Sequence, residues 1–278
     1  MINVYEFILI FIFLTFIYLW IKNSYTKEGF EIKKEDKYYK TCHQYQDIYD
    51  DFYGFMYDEL FYQEEYYLSI CDILLQYINH VYNNHLCIGI KHGGHLNELL
   101  KKNMKTESIS RSQALVNICN YRYPDNIYSY IPSIETNPYT YDEHTFTHIS
   151  LIDNELYYIE NLQAALYNCS KWLTFKGYLF IQCYKTKNDL KKVFVKDGDS
   201  YSIRMKEIYT NHFKDYQNND TFYFIEQLTY KKKKRVNRHS LYYHNFDTII
   251  ATGKQCGLYL DKNMPISNHE NVLVFQKR

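Results

Sequence analysis

The hydrophobic pattern divides the chain into an apolar start, a polar connector and a long region of short alternating elements. Residues 4–21 are almost continuously apolar. As a helix they would span roughly 27 Å at about 1.5 Å per residue, close to the ~30 Å hydrocarbon core of a bilayer. We therefore predict a transmembrane anchor at residues 1–22, and a juxtamembrane linker at residues 23–44, which are largely charged and lack apolar periodicity.

A cleaved signal peptide is the alternative interpretation of the apolar run. It needs a basic segment before the run and a small-residue cleavage site after it, and residues 1–30 contain neither. Five lysines between residues 22 and 37 follow the run. By the positive-inside rule they predict a single-pass protein whose C-terminal domain faces the cytosol. Seven widely spaced cysteines, with no Cys-x-x-Cys pair, indicate reduced thiols, in agreement with a cytosolic location of the C-terminal domain.

Short strand-like and helix-like segments alternate through the middle of the chain. Between residues 47 and 78 apolar positions recur every three or four residues, which predicts helices. Four further strands and three helices are predicted downstream: strands 86–88, 108–110, 146–152 and 178–183, and helices 96–102, 113–121 and 157–173. This order predicts a parallel sheet covered by helices.

The remaining segments show weaker patterns. Residues 120–141 hold three of the four prolines and are predicted to be turn-rich, whereas residues 206–219 show no clear period. Residues 221–230 alternate in part between apolar and polar, which predicts an exposed strand. A helix at 248–256 and a strand at 272–275 follow, and such a terminal strand often adds an antiparallel edge to a parallel sheet.

Candidate chemistry begins at the first glycine turn. The stretch Leu86-Cys-Ile-Gly-Ile-Lys-His-Gly-Gly-His places Gly89, Gly93 and Gly94 between a strand and a helix. Backbone amides in such a turn can approach a nucleotide-like ligand closely, because glycine has no Cβ and tolerates positive φ. Such a pattern is more often a plain turn between a strand and a helix. The ligand-binding interpretation therefore needs support from the order of the elements that follow.

Five stretches in order resemble a class I S-adenosylmethionine-dependent methyltransferase: residues 86–95, 110–115, 146–160, 165–181 and 224–258. The resemblance covers residues 45–278. It implies an α/β, Rossmann-like class I methyltransferase sheet, mostly parallel with an antiparallel last strand, and a small antiparallel insert at about residues 190–245. It also implies S-adenosylmethionine as the cofactor, held at seven positions: Cys87, Gly89, Lys91, Gly93, Ser110, Arg111 and Asp153.

The chain departs from the family pattern at positions that hold the cofactor. Cys87 replaces an acidic residue, Lys91 the middle glycine, and Ser110 the carboxylate that accepts both ribose hydroxyls. Losing two charge-assisted hydrogen bonds costs roughly 3–6 kcal/mol, or about 10²–10⁴ in affinity. Unless Glu107 or Asp153 substitutes, the resemblance implies a catalytically weak or inactive pseudoenzyme. The alternative is an active methyltransferase acting on an unknown small-molecule or protein acceptor.

No catalytic residue is assigned from the sequence, because methyl transfer depends on positioning and uses no single fixed base. Four side chains near the predicted pocket mouth are candidates, each more often a packing residue: Tyr49, Tyr53, His148 and Tyr157. Two histidine pairs, His92 with His95 and His144 with His148, have metal-compatible spacing. No metal is predicted, because both pairs would have to converge.

The basic run Lys231–Arg235, with Arg238, is a candidate contact for anionic lipid or a protein partner, and RNA is the alternative partner. Each basic residue near a charged membrane contributes ~1 kcal/mol, enough to support a chain that is already anchored there. A solvated hairpin tip is the alternative. No specific nucleic acid is expected, because 32 basic and 32 acidic residues give a formal net charge of zero.

Overall fold

The computed structural model describes residues 13–15, 17–18, 38–54, 57, 64–78, 84–91, 93–102, 104, 106–194, 200–202, 207–215, 221–230 and 233–278. Residues 13–15 and 17–18 are helical. Across these described ranges, no helix combines the length and apolarity that crossing a membrane requires. The rest of the predicted anchor, and the predicted linker up to residue 37, lie outside the described residues.

The described strands, in chain order, are β1 (Tyr38–Cys42), β2 (His85–Ile88), β3 (Glu107–Ser110), β4 (Ile127–Tyr130), β5 (Phe146–Leu151), β6 (Leu173–Tyr184), β7 (Ser200–Ser202), β8 (Glu207–Asp215), β9 (Thr221–Tyr230), β10 (Lys233–Tyr242), β11 (Leu258–Pro265) and β12 (Glu270–Lys277). The helices with described bounds are α1 (Tyr45–Ile48), α2 (Glu64–Leu75), α3 (Gly94–Lys101), α4 (Gln113–Arg122), α5 (Leu162–Trp172), α6 (Lys187–Phe194) and α7 (Phe246–Gln255), with a 3₁₀-helix at Glu155–Tyr158. Residues 51–54 are also helical.

Seven strands form one sheet in the order β11-β12-β6-β5-β2-β3-β4. The pairs β4–β3, β3–β2, β2–β5 and β5–β6 are parallel, whereas β12 is antiparallel to both β6 and β11. The predicted mostly parallel sheet with an antiparallel last strand is therefore confirmed. Strand order reverses at β2, between β3 and β5, which is where ligands bind in open α/β sheets.

The sheet is covered on both faces, as its apolar strands require. Leu86 and Cys87 point to opposite faces, because side chains alternate along a strand. Leu86 packs into a core that includes Trp172 and Leu179, and Cys87 into one that includes Leu96 and Phe180.

A second sheet has the order β1-β10-β9-β8-β7. Four of its strands come from the chain between β6 and α7, and they pair in antiparallel fashion. The fifth, β1, comes from the N-terminal side and lies parallel to β10. The predicted linker therefore ends before residue 38, because the backbone of Tyr38–Cys42 is paired in this sheet.

Two strands of the main sheet differ from the sequence analysis. Ile127–Tyr130 forms strand β4 within the region predicted to be turn-rich, and Leu258–Pro265 forms strand β11, which was not predicted. Both strands lie at edges of the sheet and expose much of their surface, so neither shows a buried apolar run.

Candidate functional site

The predicted glycine turn lies between β2 and α3, at the carboxyl edge of the main sheet. Gly89 has a φ of 91° and Gly93 a φ of 83°, so both use the left-handed region that glycine permits. Gly93 is the N-cap of α3. The strand, turn and helix predicted from the sequence are all present.

Protein atoms fill the space beside both glycine α-carbons. A Cβ on Gly89 would lie 2.7 Å from the Cβ of Glu155 and 2.8 Å from the carbonyl oxygen of Ile152. A Cβ on Gly93 would lie 2.8 Å from the ring of Tyr123. The structure therefore requires glycine at these positions for packing within the chain.

Lys91 occupies the middle of the turn with a φ of 37°, a conformation that lysine rarely adopts. Only 1% of its surface is exposed. Its Nζ donates hydrogen bonds to the Oη atoms of Tyr45 and Tyr49, both at 3.0 Å. Burial lowers the pKa of Lys91 to about 8, although Glu155 and Asp153 oppose the shift. The side chain is therefore an ammonium at neutral pH.

Three aromatic rings surround this ammonium, and we call them the tyrosine cage: Tyr45, Tyr49 and Tyr158. Nζ of Lys91 lies 4.7, 4.2 and 4.5 Å from their respective ring centroids. Distances below about 6 Å allow attraction between a cation and the electron-rich ring face. The N-terminal segment that carries α1 thus contributes directly to the glycine turn.

Ser110 and Arg111 end β3 beside this turn. The Oγ of Ser110 accepts a hydrogen bond from the Ser112 backbone amide at 3.1 Å, so it is used within the chain. Arg111 Nε lies 2.9 Å from Glu155 Oε1, and its Nη2 lies 3.6 Å from Glu135 Oε2. Its Nη1 donates to the carbonyl of Tyr158 at 2.9 Å. Arg111 therefore links the end of β3 to the segment after β5.

A buried Cys–His–Asp arrangement lies below the turn. Cys87 Sγ is 3.1 Å from His95 Nε2, and Asp153 Oδ2 is 3.0 Å from His95 Nδ1. Burial alone would lower the pKa of His95, but the Cys87 sulfur and the Asp153 carboxylate raise it to about 10. The carboxylate that the resemblance placed at the cofactor is thus paired with an imidazolium inside the protein.

A chain of polar contacts joins the tyrosine cage to the second sheet. Tyr49 Oη lies 3.2 Å from Tyr158 Oη, which lies 2.7 Å from His239 Nδ1. His239 Nε2 lies 2.7 Å from Glu226 Oε2. Tyr53 Oη also donates to Glu226 at 2.5 Å. These side chains are buried, so the network connects the two sheets through the protein interior.

The four candidate catalytic side chains lie in different parts of the structure. Tyr49 and Tyr53 join the polar network at the glycine turn. Tyr157 is buried, and its Oη accepts the backbone amide of Tyr184 at 2.6 Å. His148 lies early in β5, away from the carboxyl edge, and its Nε2 lies 3.2 Å from the carbonyl of Tyr77.

The histidine pairs do not build a metal site in the described part of the chain, where no suitable group of three ligands occurs. His92 lies outside the described residues. His144 Nδ1 lies 3.0 Å from the carbonyl of Leu173.

Glu155, Tyr158, Glu226 and His239 complete the site, and the sequence analysis did not assign them a role. All four lie in stretches that resemble the methyltransferase family. The order of elements indicated those stretches. It did not indicate which side chains contact each other, because the contacting residues are far apart in the sequence.

Comparison with solved structures shows the fold. No family model matches the sequence, and no curated protein matches it either. The CcbJ methyltransferase from Streptomyces caelestis superimposes with a TM-score of 0.65 and 12% identity, covering 82% of this chain and 97% of that one. An S-adenosylmethionine-dependent methyltransferase from Clostridium acetobutylicum superimposes with a TM-score of 0.62 and 14% identity, covering 81% of this chain and 97% of that one.

A third similar structure has the cofactor present. CalS10, an amino pentose methyltransferase from Micromonospora echinaspora involved in calicheamicin biosynthesis, was solved with S-adenosylmethionine bound. It superimposes with a TM-score of 0.63 and 12% identity, covering 81% of this chain and 96% of that chain. The chain therefore has the Rossmann-like fold of S-adenosylmethionine-dependent methyltransferases.

Proposed function

We propose that this chain is a pseudoenzyme of the methyltransferase fold, whose cofactor cleft is closed by its own side chains. The contact between Arg111 and Glu155 carries the proposal. It crosses the carboxyl edge of the sheet where strand order reverses, which is the place that ligands of such folds occupy. Without bound cofactor the chain transfers no methyl group and acts instead as an interaction module.

Three features of the side chains at this edge support the proposal that S-adenosylmethionine does not bind. In place of a carboxylate that accepts both ribose hydroxyls, the edge has the single hydroxyl of Ser110, which also accepts from Ser112, and the guanidinium of Arg111, which can only donate. Glu155 is the acceptor within reach, and it is 2% exposed and paired with Arg111. Asp153 is paired with His95.

The energy of this closure is large enough to remove binding at cellular concentrations. Separating Arg111 from Glu155 would leave buried charge unpaired, at a cost of about 3–5 kcal/mol. This corresponds to a loss in affinity of about 10²–10⁴. The ammonium of Lys91 adds positive charge to a site that would receive a positively charged sulfonium, so it opposes binding further.

Calorimetric titration of the full-length chain with S-adenosylmethionine and S-adenosylhomocysteine tests this proposal. We expect no heat of binding up to millimolar ligand. A dissociation constant near micromolar would replace the pseudoenzyme with the alternative, an active methyltransferase. The complete sheet order and the likeness to a cofactor-bound structure favour that alternative. A cooperative thermal transition in the same sample controls for folding.

We further propose that residues 4–21 tether the chain to a membrane, with the C-terminal domain on the cytosolic side. The proposal is supported by the length and apolar character of this segment. The full-length chain should stay with membranes during alkaline carbonate extraction, whereas Ile10→Arg with Leu14→Arg should release it. Extraction of the unaltered chain would contradict the tether.

The basic run offers a partner fewer side chains than its five residues suggest. Arg235 is fully buried and its Nη1 lies 2.8 Å from Asp50 Oδ2. Any contact with anionic lipid or a protein partner would therefore use residues 231–234. Neutralising those four lysines should weaken binding to vesicles that contain anionic lipid, and unchanged binding would exclude the lipid contact.

A further inference from the structure

The Cys87–His95–Asp153 arrangement has the geometry of a nucleophilic triad. Cys87 Sγ lies 3.1 Å from His95 Nε2, and the other ring nitrogen, Nδ1, lies 3.0 Å from Asp153 Oδ2. A thiol beside an imidazole that a third group orients is an arrangement by which proteins activate a cysteine. The proposed function assigns no chemistry to this thiol.

The charges of the triad favour an ionised sulfur. Burial would lower the pKa of His95, but the Cys87 sulfur and the Asp153 carboxylate raise it to about 10, so the ring is an imidazolium at neutral pH. An imidazolium 3.1 Å from the sulfur stabilises a thiolate relative to a thiol. The thiolate is the form of cysteine that attacks electrophiles.

Three separate elements of the fold bring the triad together. Cys87 lies in β2, His95 in the first turn of α3, and Asp153 directly after β5. Asp153 reaches the ring from a φ of 53°, in the left-handed region that few residues other than glycine use. All three side chains are buried, so solvent screens their charges weakly. The arrangement therefore exists only in the folded chain.

We propose that Cys87 is a modification site that reacts with peroxides in the unaltered, ligand-free chain. The Cys87 sulfur attacks one oxygen of hydrogen peroxide, so that an S–O bond forms while the O–O bond breaks. The sulfur is oxidised to a sulfenic acid and the peroxide is reduced. The leaving hydroxide takes the proton of His95 Nε2 and departs as water. The inference goes beyond the proposed function, because the reaction involves no cofactor.

Other buried thiols provide a comparison that separates activation from access. Three cysteines are buried like Cys87, at 2% exposure or less: Cys71, Cys169 and Cys183. Burial raises the pKa of each of these thiols, so they are neutral. Cys71 is the best match, because its Sγ donates to the carbonyl oxygen of His95 at 3.4 Å. A local opening of the fold that admits peroxide to Cys87 should therefore admit it to Cys71 as well.

Peroxide oxidation of the full-length chain tests the inference. The folded chain receives a brief pulse of hydrogen peroxide, which catalase ends, and is then unfolded in urea with iodoacetamide. Peptide mass spectrometry gives, for each cysteine, the fraction that iodoacetamide no longer alkylates. We expect Cys87 to be oxidised at least about tenfold faster than Cys71, Cys169 and Cys183. A smaller excess, or none, would overturn the inference.

Two substitutions test whether the triad causes the excess. Asp153→Asn and His95→Gln should each lower the oxidation rate of Cys87 to that of the three comparison thiols. Asp189→Asn is the matched control, because Asp189 Oδ1 lies 2.8 Å from His269 Nδ1 in another His–Asp pair. It should leave the rate at Cys87 unchanged. An excess that persists in folded His95→Gln would also contradict the inference.

The comparison among thiols of the unaltered chain needs no variant, so it decides the question even if both substitutions prevent folding. Its outcome is also separate from that of the proposed function. The oxidation rates are measured without S-adenosylmethionine, whereas the calorimetric titration measures binding of that cofactor. Equal rates at all four thiols would leave the proposed function intact.

Discussion

Arg111 Nε lies 2.9 Å from Glu155 Oε1, and this ion pair joins the end of β3 to the 3₁₀-helix that follows β5. Glu155 is almost fully buried and Arg111 nearly so, with 13% of its side chain exposed. A pair in this setting is weakly screened by solvent, and its loss would leave the buried Glu155 carboxylate without the guanidinium that lies 2.9 Å away. The pair therefore connects two segments at the carboxyl edge of the sheet, and breaking it should be costly.

Replacing Arg111 with methionine should lower the free energy of unfolding by about 3–5 kcal/mol, because it leaves the Glu155 carboxylate buried and unpaired. Combining it with Glu155→Gln should recover most of the loss. Urea denaturation measures both variants. Lys102→Met, at an exposed lysine, is the matched control and should change stability by less than about 0.5 kcal/mol. Equal losses in the single and double variants would argue against the ion pair.

Gly89→Ala and Gly257→Ala form a matched pair of substitutions at positive φ. At Gly257, with a φ of 78°, the nearest atoms to an added Cβ are 4.0 Å away, so only backbone strain of about 1 kcal/mol applies. At Gly89 the added Cβ also overlaps Glu155, which should raise the cost to about 2–4 kcal/mol. Thermal denaturation without any ligand measures both. Equal costs would mean that protein atoms do not fill the space beside Gly89.

The contacts of His95 with Cys87 and Asp153 should make stability depend on pH. The pKa of His95 rises from 6.5 to about 10 on folding, so its contribution is present in full below about pH 6.5 and is lost as pH rises through about 10. Asp153→Asn should therefore be less stable than the unaltered chain at pH 7, and the difference should shrink toward pH 10. Urea titrations at several pH values measure it. A difference that stays constant with pH would contradict the imidazolium.

Arg235 should fasten the N-terminal segment to the second sheet. Its guanidinium contacts both carboxylate oxygens of Asp50, at 3.0 and 2.8 Å, and the carbonyls of Asp47 and Ile48. Arg235→Met should lower the free energy of unfolding by about 1–3 kcal/mol, since the carbonyls of Asp47 and Ile48 lose their donor whereas the partly exposed Asp50 keeps Lys40 at 2.9 Å. Hydrogen exchange should show the largest loss of protection in β1 and α1. Lys254→Met, at an exposed lysine, is the control.

The parts of the fold that the sequence predicted are those with local signals. Strand β2, the turn and α3 were predicted from the run 86–88, Gly89 and Gly93, because a buried strand needs apolar residues and a positive φ favours glycine. Strand β4 has no such signal in the sequence, since Ile127 and Tyr130 are exposed at an edge of the sheet. Strand β1 lies among charged residues, and its partner β10 is nearly 200 positions away in the chain.

The site was predictable only in part for the same reason. Cys87, Lys91 and Ser110 differ from the residue types of the resembling family, and this difference is why the sequence favoured the hypothesis of a weak or inactive cofactor site. The side-chain pairs at this edge of the sheet are visible only after folding. Glu155 meets Arg111, and His239 meets Tyr158, across long distances in sequence. Nothing local to Arg111 specifies which carboxylate it will pair with.

A crystal structure of the full-length chain grown with saturating S-adenosylmethionine tests the central claim most directly. We expect the Lys91 ammonium among the rings of the tyrosine cage, Arg111 paired with Glu155, and no density for the cofactor above the glycine turn. Cofactor density at the carboxyl edge of β2, with Lys91 displaced from the three rings and Glu155 turned toward a ribose, would contradict it.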